Sequence, residues 1–291
     1  GNPGPDFYRL GREGDNLWTD SVLKLDATTG KILAGFQFTP NDPYDYDAVQ
    51  EDIIADVPIN GEMRKVIMHA NRNGYFYVLD RVEVKPIYAF PYTDINWTKT
   101  NEGNFGLDEN FKPIHNWPEK DTKLEEITYD IRPAQFGAKN VHPGCYNPNT
   151  YMGYWYGVQS ANNIQAEDTE WKRGQWYLGL EHISYPVGYG TLAAIDVSKG
   201  EIVWEYTDKH TVFCSQVVTG GGLVFNGNGI GEFKALDDMT GEELWSFNCG
   251  SGIVGKPVTY MIDGVQYVAI SVGWGGWIGW STMGPGVAPH L

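Results

Sequence analysis

Short runs of β-branched and aromatic residues, each closed by Gly, Asp, Asn or Pro, recur along the chain. VLKLD, KILAGFQF, KVIMHAN, GYFYVLD, TLAAID, EIVWEY, GLVFNG, EFKALD, EELWSF and QYVAISVG have the length of strands and no helical period. Residues 167–176 are the one place where the pattern permits a helix, and it would be minor. The chain therefore reads as all-β.

Three of these hairpins share a frame: Leu25-Asp26-Ala27-Thr28-Thr29-Gly30-Lys31, Ile195-Asp196-Val197-Ser198-Lys199-Gly200-Glu201 and Leu236-Asp237-Asp238-Met239-Thr240-Gly241-Glu242. Each is a strand, an Asp placed to accept turn N–H bonds, a Gly that permits positive φ, and a second strand. Trp204 and Trp245 follow at the same offset in the second and third copies, where the first has Ala34. A degenerate fourth copy runs from Val78-Leu79-Asp80 to Tyr88. Repeated antiparallel units, each docking a Trp on its neighbour, predict a β-propeller; the alternative is a β-sandwich whose turns match by coincidence.

At 291 residues, with 36 Gly and 14% aromatics, the chain has the material for a large β core joined by tight turns. A formal charge of -16 opposes binding to nucleic acid and leaves cations, basic proteins and neutral small molecules as partners. No apolar run is long enough to span a bilayer. The absence of an initiator Met and of a signal-like start is what a mature protein, or the interior of a longer one, would show. Cys145, Cys214 and Cys249 form neither a disulfide framework nor a zinc pattern, and there is no CxxCH for covalent haem. One pair would bridge in an oxidising compartment, and the sequence does not choose it. His69, His115, His142, His182, His210 and His290 lack metal-binding spacing and read as structural or surface residues.

One stretch carries chemistry. Thr39 to Gln50, TPNDPYDYDAVQ, holds Asp42, Asp45 and Asp47 among aromatics and a proline. If it is extended, Asp45 and Asp47 share a face and converge on one cation or one reacting proton, because side chains alternate. Two carboxylates on one face repel unless something positive lies between them. The same letters would also suit an acidic surface loop.

Several blocks, in order, resemble the C-terminal half of a pyrroloquinoline quinone (PQQ)-dependent alcohol dehydrogenase of the methanol/ethanol type. They include GNPGP, GDNLWTDSVLKLDATTGK, TPNDPYDYDAVQ, RKVIMHANRNGYFYVLDR, INWT, GAKNVHPGCYNP, GLVFNGNG, FKALDDMTGEELWSFNCGSGIVGKPVTY and QYVAISVGWGGW. The resemblance implies an eight-bladed propeller with tryptophan-docking repeats. Residues 1–291 would be a single domain forming its C-terminal portion, with the N-terminal half lying outside this chain. That half would carry a glutamate metal ligand and an adjacent-cysteine disulfide; no Cys-Cys dipeptide occurs here.

The resemblance further implies roles. Asp45 matches the catalytic aspartate, a base for the alcohol's hydroxyl proton and a metal ligand. Asn2 matches an asparagine whose amide oxygen binds the metal. Asp47 matches the additional aspartate of lanthanide-using members, where calcium-using members carry a small uncharged residue. This favours a lanthanide(III) ion, with Ca²⁺ as the alternative, since a trivalent ion gains more from another anionic oxygen. Arg72 matches an arginine bonded to the quinone oxygens. Asn140 matches a cofactor-proximal asparagine, although Val141 replaces the usual Trp after it. Trp277 matches a tryptophan reaching a cofactor carboxylate, with Trp274 and Trp280 as competing positions.

The implied protein is a periplasmic homodimer without a membrane span. It would oxidise a primary alcohol to the aldehyde by hydride transfer to metal-bound PQQ and pass electrons to a cytochrome c. Two other readings are a calcium-dependent ethanol dehydrogenase and a non-catalytic propeller of the assembly-factor type. Blade packing alone would not require the set Asn2, Asp45, Asp47 and Arg72.

Overall fold

The computed structural model describes residues 1–99, 104–185 and 188–273. Trp277, with Trp274 and Trp280, lies outside the described residues. No α-helix occurs among the described residues, and 167–176 is irregular chain with one turn rather than a helix. Two compact units are distinguished: residues 1–56, 63–140 and 159–187, and residues 57–62, 141–158 and 188–291.

In chain order, β1 (Ser21–Leu25) and β2 (Ile32–Gln37) form an antiparallel hairpin. A four-stranded meander follows, with β3 (Ile53–Ile59), β4 (Glu62–Ala70), β5 (Tyr75–Asp80) and β6 (Pro86–Pro91) adjacent in that order. β7 (Thr128–Ile131) joins a later sheet. β8 (Cys145–Asn147) and β9 (Met152–Gln159) pair with each other, and β10 (Asn162–Ala166) and β11 (Leu180–Ser184) with β7 in the order β11-β10-β7. β12 (Tyr189–Asp196) and β13 (Glu201–Asp208) complete the sheet β13-β12-β9-β8. β14 (Val217–Val218), β15 (Leu223–Gly227), β16 (Glu232–Asp237) and β17 (Glu243–Asn248) form another meander, and β18 (Val258–Ile262) pairs with β19 (Val265–Ala269).

The repeated turns have the geometry that the Asp-to-Gly frame predicts. Asp26 accepts from the Thr28 and Thr29 N–H groups at 3.0 and 2.7 Å, Asp196 from Ser198 and Lys199 at 3.0 and 3.2 Å, and Asp237 from Met239 and Thr240 at 3.0 and 2.8 Å. The degenerate copy does the same, with Asp80 accepting from Val82 and Glu83 at 2.8 and 3.0 Å. Its fourth position is Val84, at φ 56°, where the other copies have Gly. A β-branched residue is strained there, and the buried Val84 side chain, packed into the core of the first unit, offsets that cost.

Tryptophan docking is visible within the second unit. The Trp204 ring lies over the turn of the following repeat, so close that a Cβ on Gly241 would stand 2.7 Å from it. Trp204 Nε1 donates to the Asp238 carbonyl at 3.1 Å, which fixes the ring's orientation. Trp245, at the equivalent position in β17, is instead exposed and stacked on Phe247. The side chains of β17 and β19 are exposed along the whole length of both strands, and those of β18 along most of it.

The core of the first unit supports the acidic stretch. Tyr44, Tyr46, Tyr75, Tyr77 and Trp97 are buried together, with Trp97 edge-on to both Tyr44 and Tyr46.

Candidate functional site

Residues 39–50 are not a regular strand, because Asp45 adopts φ 62°. The alternation expected of an extended segment nevertheless survives by another route. Asp42 is buried, and its carboxylate accepts from the Tyr44 and Tyr46 N–H groups at 2.8 and 2.5 Å, folding the loop around itself. Tyr44 and Tyr46 point into the core, where their hydroxyls donate to the Lys120 and Pro133 carbonyls. Asp45 and Asp47 are left to converge on a different group, Arg72.

Arg72 projects from the tight β4–β5 turn, which is set by the Asn71 side chain accepting from Asn73 N–H at 2.9 Å and by Gly74 at φ 96°. Its guanidinium donates through Nη1 to Asp47 Oδ2 at 2.7 Å, and through Nη2 to Asp45 Oδ2 at 3.4 Å and the Gln135 carbonyl at 2.6 Å. Gly137 lies against the same side chain, and a Cβ there would come within 2.6 Å of it. The Asn2 N–H donates to Asp47 Oδ1 at 2.7 Å. The structure therefore brings Asn2, Asp45, Asp47 and Arg72 into one cluster. Asn140 lies on the 134–140 segment that borders it: Ala138 N–H donates to the Arg72 carbonyl, and the Asn140 side chain to Phe136.

Gln135, Tyr185 and Asp20 were not singled out by the sequence. Gln135 Nε2 donates to Asp45 Oδ2, and the Tyr185 hydroxyl donates to Gln135 Oε1 at 3.0 Å, so a relay of two neutral groups ends on Asp45. The Tyr185 ring stacks on Phe136, the residue after Gln135. The block GAKNVHP begins two residues after Gln135, and that proximity was the only signal available. Asp20, also at positive φ, is fully buried.

Burial sets the electrostatics. It pushes the Asp45 carboxyl above its ordinary range, opposed by Arg72 and reinforced by Asp47. Asp42 is raised by burial against the lowering effect of the two tyrosine N–H groups, and Asp20 by burial and by the charges of Asp42 and Asp47. Asp6 is raised by burial as well, with the Asn2 side chain opposing. Carboxylates held in this state gain from a cation, since one ion relieves several at once.

The unmatched polar atoms are consistent with a ligand pair of opposite sign. Among the described residues, the buried Arg72 Nε and Gln50 Nε2 donors and both Asp20 oxygens have no hydrogen-bond partner. Donors without an acceptor suit an anionic, oxygen-rich cofactor, and acceptors without a donor suit a hard cation that prefers oxygen ligands. A separate grouping in the second unit, Asp208, His210 and Glu232, already has a cation, with Lys234 Nζ 3.3 Å from Asp208 and 3.2 Å from Glu232. Cys214 and Cys249 are free thiols, and no described helix is long and apolar enough to cross a membrane.

The PQQ glucose/ethanol/alcohol dehydrogenase β-propeller profile matches residues 1–105 and 134–268. The chain is 36% identical to the quinoprotein alcohol dehydrogenase PedE of Pseudomonas putida over 95% of its length and 46% of that protein's. It is 36% identical to a lanthanide-dependent methanol dehydrogenase of Methylacidiphilum fumariolicum, covering 96% of this chain and 46% of that one. A europium-containing methanol dehydrogenase structure superposes with a TM-score of 0.81 at 34% identity, covering 90% of this chain and 46% of that one. The quinohemoprotein alcohol dehydrogenase of Comamonas testosteroni superposes with a TM-score of 0.83 at 33% identity, covering 94% and 42%. The chain spans about half the length of the curated relatives it matches.

Proposed function

Because this chain belongs to the PQQ glucose/ethanol/alcohol dehydrogenase β-propeller family, we propose that it forms the C-terminal portion of a PQQ-dependent dehydrogenase oxidising primary alcohols to aldehydes. The observation that carries this reading is the convergence of Asp45 and Asp47 on Arg72. When bound, metal-associated PQQ supplies the hydride acceptor and the Lewis acid.

The chain's own residues would act around that pair. Asp45 accepts the alcohol's hydroxyl proton, and its burial places its basicity nearer neutrality than that of an exposed aspartate. Gln135 and Tyr185 hold the Asp45 carboxylate in one orientation. Arg72, with Nε free to donate, binds the cofactor's oxygens and offsets negative charge developing on them. Asn2, Asp45 and Asp47 hold the ion. Asn140 and Trp277 complete the cofactor contacts.

Asp47 favours a lanthanide(III) ion over Ca²⁺, because the energy of an anionic ligand scales with the ion's charge. Two similar proteins, a lanthanide-dependent and a europium-containing methanol dehydrogenase, support the same choice. The remaining blades would be supplied by the N-terminal half of the same enzyme and would cover the apolar side chains on β17–β19. A cytochrome c with a basic face suits the -16 charge as electron acceptor, and we place the enzyme in the periplasm as a homodimer.

The test is dye-linked alcohol oxidation by the complete protein, loaded with PQQ and La³⁺ or Ca²⁺. Activity that drops at least about 100-fold in Asp45→Asn, with PQQ still bound, is expected. Failure of the complete protein to bind PQQ with either metal would defeat the reading.

A further inference from the structure

We propose that Asp20 is a further anionic residue of the metal site, placed to raise its preference for a trivalent over a divalent cation. This rests on the metal-site reading above and extends it to a residue outside the acidic stretch.

Asp20 stands apart from the other carboxylates of the first unit. Its side chain is fully buried, and neither oxygen has a hydrogen-bond partner among the described residues. Buried polar groups are almost always paired, and an unpaired buried carboxylate is among the costliest exceptions. Asp42, equally buried, has two N–H donors. A cation satisfies both oxygens of Asp20.

The position fits a cation shared with Asp47. Asp20 N–H donates to the Gly1 carbonyl at 3.1 Å, and the N–H at the other end of that same peptide group, on Asn2, donates to Asp47 Oδ1 at 2.7 Å. One peptide unit thus ties Asp20 to both Asn2 and Asp47. The Asp20 carbonyl accepts from Phe38 N–H at 2.7 Å, directly before the acidic stretch. Asp42 and Asp47 are near enough to repel its charge, and the Gly1 amino group and Arg72 near enough to attract it.

The side chain has no visible structural task. Its turn is held by backbone bonds, and a short polar residue at φ 49° requires only Asp or Asn. Asn would keep the shape and remove the charge. An anion at fixed distance attracts a +3 ion one and a half times as strongly as a +2 ion, so losing it should cost affinities in a logarithmic ratio of about 3:2.

The experiment titrates the complete protein with Tb³⁺, followed by emission sensitised through its tyrosines and tryptophans, and with Ca²⁺ by competition. Asp20→Asn should weaken Tb³⁺ binding more than Ca²⁺ binding, for example about 30-fold against about 10-fold. Asp20→Gly, which also accepts φ 49°, should do the same, with circular dichroism and thermal melting confirming that both variants are folded. If the unmutated protein binds neither ion, the metal-site reading itself fails. If it binds both, and the two variants lose nothing or lose equally for the two ions, the role of Asp20 alone is overturned.

Discussion

Arg72 Nη1 lies 2.7 Å from Asp47 Oδ2, and the same guanidinium faces Asp45 through Nη2 at 3.4 Å. The arginine thus pairs with both carboxylates that an ion is proposed to bind, its single positive charge offsetting one of their two negative ones. Its planar fork makes this possible, since one nitrogen serves each acid and the rest of the group remains available to a cofactor.

Replacing the fork by a point charge separates these duties. Arg72→Lys should keep the net charge and the fold but weaken PQQ binding at least about 10-fold, because a lysine cannot reach two acids and the cofactor together. Equilibrium titration of the complete protein with PQQ, read by absorbance, checks this. An unchanged affinity would count against Arg72 as a cofactor contact.

Asp47→Ala distinguishes the two candidate ions. Lanthanide-supported turnover should fall by about 100-fold and calcium-supported turnover by less, about 20-fold, because the lost anion attracts a trivalent ion one and a half times as strongly as a divalent one. Parallel assays with La³⁺ and Ca²⁺ on the complete protein decide it. Lanthanide-supported turnover that barely changes would return the site to the calcium reading, in which Asp47 is incidental.

Gln135 donates to Asp45 and so stabilises its charged form. Gln135→Ala removes a factor that lowers the Asp45 pKa, so the acid limb of the kcat/KM profile should move to higher pH. The maximum kcat should fall about 10-fold with little change in KM, the pattern of a positioning residue. A profile that keeps its acid limb in place would deny Gln135 that role.

The turn aspartates predict how the fold responds to acid. The Thr29 and Thr240 hydroxyls, with the turn N–H groups, hold the carboxyls of Asp26 and Asp237 below the ordinary aspartate range, and the Glu83 and Val82 N–H groups with Arg64 do the same for Asp80. Groups with a depressed folded pKa stabilise the fold above their unfolded value, about 4, and that contribution is lost as pH falls through the folded pKa. Asp80→Ala should therefore cost about 1 kcal/mol at pH 7 and almost nothing near pH 2. Denaturant melts at the two pH values measure the difference.

Trp204 and Gly241 should behave as one unit. Trp204→Ala is expected to cost about 2–4 kcal/mol, somewhat less than for a fully buried aromatic. Gly241→Ala adds a Cβ where φ is 75° and the indole is already in contact, at about 1–3 kcal/mol. The double variant should lose less than the sum, since removing the ring opens space for the Cβ.

Much of this was legible because it is local. The Asp-to-Gly turns follow from residues within five positions of one another, and the ten strands read from the sequence are all present as β1, β2, β4, β5, β12, β13, β15, β16, β17 and β19. β9 was missed because MGYWYGVQ is buried along nearly its whole length, so no alternation marks it. The helix allowed at 167–176 did not form. In the site, Asp45, Asp47, Arg72 and Asn2 came from ordered blocks, whereas Gln135 and Tyr185 reach Asp45 across 90 and 140 positions with no periodicity to announce them. Asp20 was hidden for another reason: its burial, not its spelling, makes it unusual.

The indole of Trp245, stacked parallel to Phe247 on β17, is open to water, whereas Trp204 one repeat earlier is docked. Its fluorescence would therefore shift toward the blue whenever another polypeptide settles over that sheet. Read as the difference between the chain and its Trp245→Phe variant, which cancels the other ten tryptophans, that native chromophore would serve as an optical gauge of assembly, readable during refolding or on mixing with a separately produced complementary segment, with no label attached.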